Sequence, residues 1–322
     1  MSEGVTRRDA LRRLGAAGLV AGAVGSAAGW LAGRPGWPPP SARVALPDYR
    51  RGVKDGPALA VARGEDAAAL AEAAIEALGG ISRFVRPGDR VLVKPNAAFD
   101  RPAWLATTTN PAVVGAVVRL CVAAGASEVV VADNPIHAPE GCFRRSGIGA
   151  ATEAAGGRVE LPDAGAFLPV VLPGTLLDGW PVLARPLLRA TKVVGVAPVK
   201  DHNLARASMG LKNWYGLLGG PRNRLHQKMD EAIASLARLV RPTLTVLDGT
   251  RLLVRNGPTG GSPDDVRPGD AVAAATDPVA LDAFGATLLG LAPEDLPYLA
   301  RAEALEAGTV DWRSLVPVEA RR

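Results

Sequence analysis

The stretch Lys192 to Gly220, KVVGVAPVKDHNLARASMGLKNWYGLLGG, constrains the fold more than any other part of the chain. It opens on Val193, Val194 and Val196, an apolar, β-branched run of the kind that makes a strand buried on both faces. The run reads as ending at Pro198, and it delivers Lys200, Asp201, His202 and Asn203 in immediate succession. A short apolar pattern follows (Met209, Leu211, Trp214, Leu217, Leu218), interrupted by Lys212, Asn213 and Tyr215. A core strand thus ends in four polar groups, and a helical turn brings an amide, an amine and two aromatic rings back beside them. In open α/β sheets ligands sit beyond the carboxyl ends of the strands, and this is the densest such end in the sequence.

Four other apolar runs end the same way. Val91-Leu92-Val93 leads into Lys94 and Asn96, and Val129–Ala132 into Asp133 and then His137. Leu244–Leu247 leads into Asp248, and Ala271–Ala275 into Asp277. If all five strands are parallel in one sheet, their polar ends share one rim. Helices are expected between them. One runs from Glu65 to Leu78 and stops at Gly79-Gly80, and another follows the N-cap Asn110 with Pro111 at its first position. Asp277-Pro278 repeats that joint, and further helices are read over His226 to Val240 and Leu296 to Ala307. Strand–helix–strand alternation calls for parallel pairing with right-handed crossovers. The fold class is therefore α/β: a mostly parallel or mixed sheet with helices on both faces, one domain over residues 57–312. Residues 313–322 read as a tail, and residues 162–190 carry no clear pattern.

The first 33 residues read as a targeting segment. Thr6-Arg7-Arg8-Asp9-Ala10-Leu11-Arg12 resembles a twin-arginine (Tat) export signal, followed by the uncharged, Ala- and Gly-rich stretch Leu14 to Ala32. That stretch is 19 residues, close to the roughly 20 a membrane-spanning helix needs, so an uncleaved anchor is the alternative to a cleaved signal. Pro35, Pro38, Pro39 and Pro40 stiffen a linker over residues 34–56. The expected partner is the Tat translocase, the destination is periplasmic or otherwise extracytoplasmic, and the only membrane contact is through this segment. Five arginines against Glu3 and Asp9 in residues 1–34 account for +3 of the chain's formal +5, leaving +2 for the rest. So small a balance, with few aromatics, argues against a nucleic-acid partner. Cys121 and Cys142 are the only cysteines and form no CxxC, so no cysteine-held Fe–S cluster is expected.

Seven motifs carry a family resemblance: VLVKPN at 91–96, TTTNP at 107–111, VKDH at 199–202, GLKNWYGLL at 210–218, LDG at 247–249, NGPTGG at 256–261 and TDPVALDA at 276–283. Together they resemble the bacterial and archaeal family known as domain of unknown function 362, over about residues 57 to 307. The resemblance implies an α/β architecture and a site at these motifs, and it implies no particular reaction. Many members of that family carry a ferredoxin-type Fe–S insert or appendage, whose cysteines this sequence lacks.

The candidate ligand-binding residues are Lys94, Asn96, Lys212, Asn213, Asp248, Asn256 and Asp277, with His202 and Lys200 as candidate catalytic groups. An ammonium at Lys94 suits a phosphate or carboxylate, or a structural pairing with Asp248 or Asp277. His202 beside Asp201 suits a general base or a metal ligand. Asp277 reads first as a helix cap. The favoured reading is an exported protein that binds a small anionic molecule or cofactor, with His202 as acid/base. The alternatives are a metal-binding protein using His202, Asp201, Asp133 and His137, loaded before export, and a non-catalytic binding module.

Overall fold

Strands form where β-branched residues run together. The computed structural model describes residues 43–321, so the expected signal segment and the first part of the linker lie outside the described residues. The strands are β1 (Leu59–Arg63), β2 (Arg90–Lys94), β3 (Glu128–Val131), β4 (Arg158–Val159), β5 (Phe167–Pro169), β6 (Pro181–Leu183), β7 (Lys192–His202), β8 (Arg206–Ser208), β9 (Leu244–Leu253), β10 (Val266–Ala275) and β11 (Val318–Arg321). The α-helices are α1 (Ala67–Ala77), α2 (Pro111–Ala123), α3 (Pro139–Arg145), α4 (Ile148–Ala154), α5 (Ala184–Arg189), α6 (Gly210–Asn213), α7 (Met229–Leu239), α8 (Pro278–Leu288) and α9 (Pro297–Ala304).

Nine strands make one sheet in the order β11-β1-β10-β9-β7-β2-β3-β4, with β8 folded back on the end of β7. The sheet is mostly parallel; β10 runs against β1 and β9, and β8 against β7. Alternate side chains of the central strands feed two cores. Val91, Val93, Val129, Val131, Val194, Val196, Leu244 and Val246 pack under α1 and α2. Leu92, Val193, Ala197, Val199 and Leu247 pack with Trp214 under α7, α8 and α9. Each such side chain fully buried contributes roughly 1.5–3 kcal/mol, which is why β7, apolar on both faces, lies in the middle. The fold class read from the sequence is the one observed.

Several boundaries differ from the reading above. β7 does not stop at Pro198. It continues through Lys200 to His202, because β8 pairs with this last part as an antiparallel return strand. The expected tail supplies β11, which pairs parallel with β1 at the sheet edge. The described part of the expected linker is held to the domain: Val44 bridges Val170, and Asp48 bridges Arg241. The helix expected from His226 begins at Met229, after a 3-10 turn over Arg222–Lys228. The cap of α2 is as read: Asn110 Oδ1 accepts from Ala112 N, with Pro111 at the first position. Among the described residues no helix is long and apolar enough to cross a membrane.

Candidate functional site

Because β2, β3 and β7 run the same way, Lys94, Asp133 and Lys200 leave the sheet at one rim. α6 returns Lys212 and Asn213 over it, and the turn at Arg222–Lys228 adds Arg222 and His226. These groups enclose a cavity of about 820 Å³, whose wall also holds Phe99, His137, His202 and Tyr215. All three histidines of the chain line it.

Lys94 and Asp133 form its floor. Both side chains are almost wholly buried, and Lys94 Nζ lies 2.6 Å from Asp133 Oδ1. Nζ also donates to the carbonyl of Pro95 and to Asn213 Oδ1, so its three donors are taken. Burial pushes the Lys94 ammonium down from its ordinary pKa, and Asp133 pulls it back up. Asp133 Oδ2 accepts from Ala97 N, which ties β3 to the loop after β2. The chain comes so close at Gly216 that a Cβ there would run into the Asp133 carboxylate and the Lys94 ammonium. Glycine is required at that point.

Lys200 Nζ donates to the carbonyl of Thr107 at 2.6 Å and to Asn96 Oδ1 at 3.3 Å, and lies 5.1 Å from the centre of the Phe99 ring. Burial, with Lys212 and Lys94 nearby, lowers its pKa to about 7. Lys212 Nζ stands 4.9 Å from the centre of the Tyr215 ring and, among the described residues, finds neither a hydrogen-bond acceptor nor a carboxylate. Burial, then Arg222 and Lys94, bring it also to about 7. Arg222 donates to the carbonyls of Asn134 and Pro135, which turns its guanidinium across the cavity wall. The lining therefore holds Lys94, Lys200, Lys212 and Arg222 against the single carboxylate of Asp133.

Two of the histidines are held in one tautomer. His202 Nδ1 accepts from Leu204 N and Ala205 N, which leaves the ring proton on Nε2. Burial and the neighbouring Lys212 and Lys200 lower its pKa to about 2, so it is a neutral N–H donor. His137 Nδ1 likewise accepts from Asp100 N. His226 is exposed yet stacks on Tyr215 at 5.9 Å between centroids.

Of the residues singled out from the sequence, the cavity brings together Lys94, Asn96, Asp133, His137, Lys200, His202, Lys212 and Asn213. Four others do not line it. Asp248 is buried beneath the rim and holds Asn110 N at 2.7 Å and the Thr250 hydroxyl at 2.6 Å. Asn256, at φ 57°, donates to Asp265 Oδ1 in the loop before β10. Asp201 accepts from Gly257 N and faces a separate depression with Arg206 and Leu291. Asp277 lies at the opposite rim, because β10 is antiparallel, and it caps α8. The four residues of the metal alternative are not brought together, since Asp201 is outside the cavity, and among the described residues no three His, Cys, Asp or Glu groups converge. Sequence reasoning missed Arg222 and Phe99. Arg222 follows Gly219-Gly220-Pro221, which reads only as a chain break, and nothing in its spacing points back to the loop after β3.

Fold and site together define an α/β protein with a cation-lined cavity at the carboxyl rim of its central strands. Residues 91–287 match the family described as Domain of unknown function (DUF362), and the chain belongs to that family. A thylakoid-associated protein of Synechocystis is 28% identical over 247 residues, 72% of each chain. Among solved structures, the lactate racemase apoprotein from Thermoanaerobacterium thermosaccharolyticum aligns with a TM-score of 0.38 and 14% identity, over 74% of this chain and 58% of that one. A protein from Thermotoga maritima gives 0.33 and 11%, over 57% and 51%. This chain thus spans less than two thirds of either structure, and at these scores neither bears on the chemistry of the site.

Proposed function

We propose that the protein binds a small organic anion, carrying a phosphate or carboxylate, in the rim cavity. One observation carries this: Lys94 is spent on the cavity's only carboxylate, Asp133, and Lys200, Lys212 and Arg222 line it with no ion-pair partner among the described residues. At an effective dielectric near 20, unit charges 4 Å apart interact by about 4 kcal/mol, so like charges gathered here favour an incoming anion. A phosphate or carboxylate would also supply the acceptor that Lys212 lacks. For catalysis on that anion, Lys200 and Lys212 fit the acid/base role better than His202 does. Groups near pH 7 exchange protons most readily, whereas His202 has its Nδ1 lone pair committed to two backbone N–H groups. His202 serves instead as a hydrogen-bond donor.

Calorimetric titration with inorganic phosphate, nucleotides and small carboxylates tests the reading. Binding that weakens in Arg222→Ala and Lys212→Ala supports it; no binding of any of the three classes overturns it. Binding without turnover of any ligand leaves a binding module.

Export by the twin-arginine route is part of the same proposal and rests on the Arg7-Arg8 motif and the apolar stretch after it. Retention in the cytoplasm should follow Arg7→Lys with Arg8→Lys, and unchanged fractionation would reject it. The thylakoid association named for the Synechocystis relative fits a chain that stays attached through that stretch.

A further inference from the structure

The three cavity lysines differ in what their nitrogens are already doing. Lys94 spends all three donors on Asp133, Pro95 and Asn213. Lys200 spends two, on Thr107 and Asn96. Lys212 spends none, although the residue is only 8% exposed and lines the cavity. No carboxylate holds its proton, since Asp133 is taken, and Arg222, Lys94 and Lys200 all oppose a positive charge there. An amine so placed carries an electron pair directed at whatever enters.

We propose that Lys212 is a nucleophile, condensing with the aldehyde or ketone of an anionic substrate to form an imine. This rests on the anion-binding reading, and it narrows the substrate class to anions that also bear a carbonyl, such as oxo-acids or phosphorylated carbonyl compounds. Arg222 and Lys200 seat the anionic group. The Lys212 Nζ pair attacks the carbonyl carbon, and the C=O π pair moves to oxygen. The carbinolamine then loses that oxygen as water, which carries away the two hydrogens the amine gives up. No oxidant or reductant is consumed. His202 Nε2–H lines the same cavity and is a donor for the departing oxygen. The lowered pKa of Lys212, about 7, leaves about half of it unprotonated at neutrality, against less than a thousandth or so for an ordinary lysine.

The test uses the full wild-type chain, so no variant need fold. It is incubated at pH 7 with pyruvate, glyoxylate or pyridoxal phosphate, in the presence of cyanoborohydride, and the reduced adducts are mapped by peptide mass spectrometry. Labelling at Lys212 should outpace that at the exposed Lys54 and Lys228 by at least roughly tenfold, with a half-maximal rate near pH 7. Lys212→Arg should abolish the adduct while labelling of Lys54 and Lys228 continues. Labelling confined to exposed lysines, or favouring Lys200, overturns the imine. If phosphate still binds in that case, anion binding stands without it; if phosphate does not bind either, both readings fall.

Discussion

Two joints in this chain are built alike and sit at opposite ends of the sheet. At Asn110-Pro111 the Asn side chain caps α2, and at Asp277-Pro278 the Asp side chain caps α8 through Val279 N and Ala280 N. The first follows a parallel strand. Its loop presents the Thr107 carbonyl to Lys200, and its backbone is pinned by Asp248, so it forms part of the cavity's support. The second follows β10, the antiparallel strand, and its spare oxygen holds only Thr309 N. The same local chemistry therefore supports the cavity at one rim, and at the other it caps a helix and holds a neighbouring turn. Strand direction, not the motif, decides which.

The contrast implies that substitutions at the cavity rim alter binding, while those at the far rim alter only stability. The largest effect expected is at Asp133. Asp133→Ala leaves Lys94 buried without its partner and should lower the unfolding free energy by about 3–5 kcal/mol in urea titration, with loss of anion binding. Next is Lys212→Ala, which should weaken phosphate binding by about ten- to a hundredfold in calorimetry, the worth of one charge-assisted hydrogen bond, without loss of stability at pH 6.

A third expectation concerns pH. Lys200 and Lys212 lose charge as pH rises through about 7, so anion affinity should fall by about tenfold between pH 6 and pH 8. Their effect on stability has the opposite sense. Both are depressed relative to the unfolded chain, so their contribution is complete above pH 10.5 and is lost as pH falls through 7. Asp282, which accepts from Gly210 N and Leu211 N at the start of α6, is raised by burial to about 7. Its contribution is complete below the ordinary carboxylate range and is lost as pH rises through 7. Lys200→Met should therefore flatten the stability profile between about pH 7 and pH 10.5 in urea melts, and an unchanged profile there would argue against the buried, cation-crowded state of that lysine. The smallest effect expected is at the far rim: Asp277→Ala should cost about 1 kcal/mol and leave phosphate affinity unchanged. If it weakens binding, the division between the two rims fails.

Much of this was legible along the chain because it depends on neighbours in sequence. Val193, Val194 and Val196 announce a strand whatever surrounds them, and Asn110-Pro111 announces a helix start. Both joints and most strands are where those residues put them. That Lys94, Lys200 and Lys212 come together was legible because two end apolar runs and the third follows in the returning turn. Arg222 was not, since its role arises from the carbonyls of Asn134 and Pro135, 88 and 87 positions away. His202 looked like a base from its type and its place after Lys200 and Asp201. That Nδ1 is occupied depends on the hairpin to β8, which lies beyond the strand end read at Pro198.

By itself the sequence determined which segments are strands, where the helices are capped, and that polar groups gather at strand ends. Those properties follow from side-chain shape and from hydrogen bonds a few residues apart. The tertiary structure alone decided that β10 runs backward, which sends Asp277 to the far rim, and that Asp133 neutralises Lys94 while Lys212 is left without a partner. Strand direction and charge pairing are fixed by contacts between distant segments, and no local pattern encodes which of three buried lysines finds the one available carboxylate.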